Sequence, residues 1–290
     1  MRLVATNFAD NPDAPNVTKM MQDAFNKLYL DGQADALPPV TAIGLYDEFQ
    51  ELTPPGDKGD EMIRKLADRL ASVDLLDRAS DLLQAQVHSR LQGVDKARVG
   101  ARLAFLELSD RKPERALESL DVSEVPNIPV DLHDQRRYIR VRALADLGRS
   151  AEALALIIND QSEPARRLRT EIYWGMKKWA DAAASLESLI DPPAGKKIDP
   201  VTARRVLDLA TALTLAKDER GLQRLRRTWG TQMAATEYRE AFSLLTSEPE
   251  HGIVDYRRVN EKIKQAEDFQ TFMGEWAKRV KAQGLSSSIN

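Results

Sequence analysis

The chain has no cysteine among its 290 residues. Disulfides, thiolate nucleophiles and iron–sulfur clusters are therefore excluded, and the compartment is left open, with cytoplasm as the default expectation. Long apolar runs are missing too: the longest, which contains LALII, is ALALII at 153–158, against the ~20 residues needed to cross a bilayer. No membrane insertion is expected. The opening MRLVATNFADNPDAPN lacks the extended apolar core of a secretory signal, so no address for export is expected from it. Neither sign of charge dominates. Against 42 Lys and Arg stand 45 Asp and Glu, a formal net charge of -3, which gives no global field for nucleic acid or a membrane surface. The balance is uneven along the chain, at -7 for residues 1–130 and +4 for 131–290. Helix-face decoration explains it most simply.

Chemistry-bearing constellations are scarce as well. His88, His133 and His251 stand far apart, with no HxxxH or HExxH spacing, so no zinc site is expected and each reads as a surface or helix-end histidine. Ala194-Gly195-Lys196-Lys197 lacks the rest of a phosphate-cradling loop and reads as a linker; GxSxG and GxGxxG are absent. The carboxylate neighbours Asp47/Glu48, Asp60/Glu61 and Asp218/Glu219 lie beside turns or helix starts, where they complement helix dipoles rather than form a glycosidase acid pair. Neither catalysis nor a cofactor is expected.

What the chain does have is helix after helix. With 42% apolar and 30% charged residues it has the composition of amphipathic helices that bury one face. Met20, Met21, Ala24, Phe25, Leu28 and Tyr29 mark a first helix after Asn16, and Ile43, Leu45, Tyr46, Phe49 and Leu52 a second, stopped by Thr53-Pro54-Pro55-Gly56. The clearest organisation lies from Leu132 to Pro193, which reads as two helix-turn-helix units. Leu144 and Leu147 close one helix, Gly148 supplies a positive φ, and Ser150 is expected to cap AEALALI. Tyr173, a turn at Met176 to Lys178, and ADAAASLESLI ending at Pro192 repeat the plan. Ala42, Ala79, Ala116 and Ala153 follow at 37-residue steps, then Ala182 after 29 and Gly221 after 39. Farther on, Asp199 and Pro200 start VTARRVLDLATALTLA, with GLQRLRRTW as its partner.

This pattern, an aromatic in the first helix, a small Ala early in the second and a Pro near its end, resembles the tetratricopeptide repeat (TPR) over roughly Asp57 to Leu225. The chain also looks like the C-terminal part of large bacterial TPR proteins. The resemblance implies an all-α, right-handed α-solenoid of TPR-like helix pairs. The expected division is a flexible N-terminus (1–15), an N-terminal helix pair (16–56), the solenoid (57–230), capping helices (231–283) and a flexible tail (284–290). In the capping region Tyr256, Val259, Ile263, Ala266, Met273, Ala277 and Val280 form the stripe of a long helix that covers the open end. Glu107 departs from the pattern by standing where a large residue is expected, as do Arg137, Arg140, Arg166 and Arg169 at positions the family buries.

In such a repeat the first helices line a concave groove, and the resemblance places Arg64, Lys65, Arg102, Phe105, Tyr138, Arg142, Arg167 and Trp174 there. That mixture suits a protein or peptide partner of acidic and apolar character. The TPR clamp for a chaperone C-terminus is not supported, because its Asn position holds Asp68, Phe105, Arg142 or Glu171. Arginines recur at 136, 137, 140, 142, 166, 167 and 169, then at 204, 205, 224, 226 and 227. They read as solvated faces whose stems cover apolar surface, with an anion-binding groove as the other reading. The expected function is a non-catalytic protein–protein interaction module, an adaptor or assembly scaffold. A nucleic-acid-binding helical repeat that uses the arginine clusters is the disfavoured alternative. Oligomeric state is left open.

Overall fold

The computed structural model describes residues 14–193, 195 and 197–247. Among the described residues there are 13 α-helices, two 3-10 turns and no strand, so the chain is all-α. It divides into two compact units, Met1–Ala143 and Leu144–Asn290. The first holds α1 (Ala14–Leu30), α2 (Pro39–Glu48), α3 (Asp57–Ser72), α4 (Leu76–Ser89), α5 (Gly93–Ser109) and α6 (Pro113–Val122), with 3-10 turns at Gln33–Ala36 and Gln50–Leu52. The division falls inside α7 (Val130–Asp146). The second holds α8 (Ser150–Ala155), α9 (Glu163–Gly175), α10 (Trp179–Glu187), α11 (Pro200–Leu215), α12 (Glu219–Met233) and α13 (Arg239–Thr246).

One turn is built five times. After α3, α5, α7, α9 and α11 a residue enters the left-handed region: Asp74 (φ 63°), Arg111 (59°), Gly148 (74°), Lys177 (57°) and Lys217 (59°). Each N–H donates to the carbonyl three residues back, as Asp74 to Ala71 (3.1 Å) and Lys177 to Trp174 (2.9 Å). The next N–H donates five residues back: Leu75 to Leu70 (2.9 Å), Lys112 to Glu107 (2.8 Å), Arg149 to Leu144 (2.8 Å), Lys178 to Tyr173 (2.9 Å) and Asp218 to Leu213 (3.0 Å). This Schellman pairing satisfies carbonyls that a helix end leaves without partners. The following helix starts at once, and its alanine is fully buried: Ala79, Ala116, Ala153 and Ala182 are each 0% exposed, as is Ala42 near the N-terminus. A methyl group at these points lets helices approach closely. Gly100 does the same on α5, where a Cβ would come within 1.9 Å of Ser123 Oγ.

Several boundaries differ from the sequence reading. Ser150 is the first helical residue, and Arg149, whose side chain makes no cap bond, stands at the N-cap. Asn16 lies inside α1. The helix expected to run through AEALALI stops at Ala155, because Arg169 Nη1 takes the carbonyls of Ile157 (2.5 Å), Ile158 (3.3 Å) and Asp160 (2.6 Å). Similarly, α10 ends at Glu187, well before Pro192. Asp199 caps α11 as expected, accepting from Thr202 N–H at 2.9 Å, with Pro200 in the first turn.

Each unit has its own core. In the first, the rings of Phe25, Tyr29 and Tyr46 cluster with centroids 4.8 to 6.1 Å apart, Tyr29 edge-on to Tyr46. The Tyr29 hydroxyl donates to the Ala42 carbonyl at 2.6 Å, and burial pushes its pKa up to about 12. In the second, α11 contributes Val206, Leu207 and Ala210 beneath Leu225, Trp229 and Met233 of α12 and Phe242 of α13. Residues 1–13, Ala194, Lys196, Pro249, His251, the stripe from Tyr256 to Val280 and the tail from 284 lie outside the described residues.

Candidate functional site

In the first unit the anticipated groove residues lie on α3, α5 and α7, and one of them, Arg102, pairs with Asp68. Asp68 lies one helical turn after Arg64 and three residues after Lys65 on α3, so all three share a face. Arg102 of α5 reaches across to pair with Asp68. Lys65 pairs with Glu61 at 3.0 Å and donates to the Leu30 carbonyl at 3.2 Å. Arg64 and Phe105 are half-buried; Lys65 and Arg102 are exposed. On α7, Tyr138 and Arg142 are half-buried and one turn apart, and the Arg137 guanidinium lies 5.3 Å from the Tyr138 ring centroid.

In the second unit Arg167 pairs with Glu163 at 2.9 Å, and Arg205 reaches the same oxygen at 2.7 Å. The Arg205 hydrogen bond, then the Arg167 charge, hold the Glu163 carboxyl below its ordinary range. Trp174 meets Trp179 edge to face at 5.2 Å and packs against the core of its unit. An aromatic at this point of a first helix thus serves the interior as well as any surface.

The arginines noted in the sequence have roles that their clustering did not reveal. Arg136 is 5% exposed. Its guanidinium donates to the carbonyls of Leu120 (2.6 Å) and Ala97 (2.7 Å), to Ser123 Oγ (3.0 Å) and to Glu124 (3.1 Å). Arg169 is 8% exposed and serves the chain end beyond α8, as described above. Arg205 donates to the Leu189 carbonyl at 3.1 Å, and Arg69 to the carbonyls of Ala34 and Leu37. Arg136, Arg169 and Arg205 each reach a carbonyl at or just beyond the end of the helix before their own, where a cation is favoured electrostatically. Their spacing held a signal: 136, 169 and 205 recur at nearly the period of the repeats. Arg137, Arg140 and Arg166 are half-buried, and Arg140 pairs with Asp121 at 2.7 Å.

The remaining polar candidates are occupied structurally. Glu107 is 1% exposed, accepts from Ser119 Oγ at 2.7 Å and lies 3.4 Å from Arg115 Nε. Burial raises its carboxyl above the ordinary range, against the opposing Ser119 hydrogen bond and Arg115 charge. Asp60, 7% exposed, accepts from Arg90 Nε at 2.8 Å and Gln86 Nε2 at 3.2 Å. Asp218 caps α12 by accepting from Gly221 N–H at 2.9 Å. His88 and His133 are exposed, with Nδ1 of the former 2.8 Å from the Gln84 carbonyl. No group of three or more His, Cys, Asp or Glu is placed to hold a metal ion among the described residues, and no helix there is long and apolar enough to cross a membrane. No family model matches the chain, nor does any curated protein or solved structure.

Proposed function

We propose that the chain is a non-catalytic protein–protein interaction module, an adaptor or assembly scaffold built as a right-handed α-solenoid of TPR-like helix pairs. Its first helices would line a concave groove that binds an acidic, partly apolar peptide or protein segment. The observation that supports this most is the Asp68–Arg102 pair, which sets the polar faces of two successive first helices side by side next to Arg64 and Lys65. Cations and a half-buried aromatic ring on adjoining strips are what an acidic-apolar segment needs: charge for encounter and orientation, an apolar anchor for residence time. Recurrence of one turn supports the repeat reading, because identical turns deliver each following helix at the same angle.

The test is site-specific photo-cross-linking in the full chain. A benzoyl-phenylalanine at Phe105 or Tyr138 should capture the partner, whereas one at the exposed Val201 should not. Capture from Val201 alone would move binding to a lateral face and overturn the groove reading.

A further inference from the structure

The second unit also holds a pocket lined by none of the groove candidates. The segment after α10 together with α11 and α12 encloses a pocket of ≈ 290 Å³. Buried Leu209, Leu213, Leu225 and Trp229 line it, and exposed Arg224 and Thr228 stand at its mouth. Its size separates ligand classes. Cofactor and drug-like sites usually run from ~300 to 1,000 Å³, so an open pocket at the bottom of that range accommodates one or two apolar side chains.

Charge specifies what should carry those side chains. Arg220, Arg224 and Arg227 are all exposed and recur at steps of four and three residues, which places them in one stripe of α12. Arg224, itself lining the pocket, has 63% of its side chain exposed and lies 4.0 Å from Asp218. Asp218 is already engaged as the N-cap of α12, accepting from Gly221 N–H. Three guanidiniums beside an apolar pocket match carboxylates flanking an apolar residue, since each can take a carboxylate bidentately.

We propose that this pocket is a second docking site, for a short acidic segment of a partner protein. One or two Leu or Phe side chains enter between α11 and α12, and flanking Asp or Glu side chains pair with the stripe. A nucleic acid fits less well: Glu187 lines the same pocket and would oppose a phosphate backbone, while Trp229 is 6% exposed and offers no face for base stacking. The inference rests on the protein-binding reading but uses another face, so the two can fail separately.

The experiment is fluorescence anisotropy on the full chain, with a labelled peptide that carries a central Leu-Phe pair between glutamates. Arg224→Glu combined with Arg227→Glu should weaken binding at least ~30-fold, and Thr228→Phe, which crowds the mouth, about 10-fold, with unchanged thermal melts. Replacing Leu-Phe in the peptide by Ala-Ala should cost about 10-fold as well. Equal affinity of the α12 variant and the parent overturns the site, as does an absence of peptide binding by the parent. Should Arg102→Glu with Arg142→Glu abolish binding while the α12 variant binds normally, protein binding stands and this site falls. A single-stranded RNA oligonucleotide that binds more tightly than the peptide, with no effect of Thr228→Phe, overturns it in favour of a nucleic-acid face.

Discussion

Within α7 and α9 two arginine side chains turn into the protein; along α12 they cover its outside. Arg136 and Arg169 are 5% and 8% exposed, whereas Arg224 keeps 63% of its side chain in solvent. What differs is the chain that lies behind each helix. The Arg136 and Arg169 guanidiniums meet carbonyls at or just beyond the end of a preceding helix, and a cation there is both hydrogen-bonded and favoured by the helix dipole. Among the described residues the stripe on α12 is exposed, and Arg224 has Asp218 as its ion-pair neighbour at 4.0 Å. An arginine-rich stretch therefore has no single meaning in a helical repeat: some members close the repeats and others decorate them.

The largest test of this contrast is deletion. Arg136→Ala removes the buried hydrogen bonds to the Leu120 and Ala97 carbonyls and to Ser123 Oγ and should cost about 3 kcal/mol, whereas Arg224→Ala should stay within about 0.5 kcal/mol. Equilibrium urea unfolding measures both, and equal losses would break the contrast. The same inside–outside logic applies to alanine. Ala153→Leu should cost ~1 to 3 kcal/mol by overpacking, and Ala155→Leu, two residues on at an exposed position, close to nothing. A melt of the Ala153 variant matching the parent would show that helices do not meet there.

A smaller effect is expected at the turns. Gly148→Ala should destabilise by about 1 kcal/mol, since alanine resists the left-handed region that glycine enters freely, and Lys177→Gly should recover about 0.5 kcal/mol by relieving the same strain. Thermal denaturation that orders the two variants the other way would remove the turn argument. Glu107 sharpens the comparison through pH. Burial raises its carboxyl, so the folded chain favours the protonated acid. That contribution is fully present below the unfolded-state carboxyl range and is lost as the pH rises through the raised folded value. Glu107→Gln, which cannot ionise, should therefore be at least as stable as the parent at neutral pH and lose that advantage as the solution is acidified toward pH 4. Urea midpoints measured across this span check it, and an advantage that grows on acidification would reverse the sign.

The all-α class, the helix succession and the buried alanines were legible because 3.6-residue periodicity and the repeated spacing of small residues are written in the chain itself. Gly148 announced one turn. The turn at Met176 to Lys178 was also expected, but that Asp74, Arg111, Lys177 and Lys217 enter the left-handed region was not legible, because they look like ordinary surface charges and only backbone geometry shows it. The site was less legible. Arg102 was singled out from its repeat position, but its pairing with Asp68 carried no mark in the sequence. Arg136 and Arg169 were grouped with solvated arginines because sequence does not say which carbonyls a long side chain will reach. The pocket at Trp229 joins three segments separated along the chain, and no local pattern encodes it.

We propose that Arg102, Arg142 and Arg167 bind a partner while buried Arg136 and Arg169 hold the fold, and one titration tests this most directly. A partner identified by cross-linking is titrated against the full chain and against its Arg102→Glu, Arg142→Glu, Arg167→Glu variant, with thermal melts recorded on both. The account predicts at least ~100-fold weaker binding, equivalent to nearly 3 kcal/mol, with the melt unchanged. Unaltered affinity in a fully folded variant would contradict it.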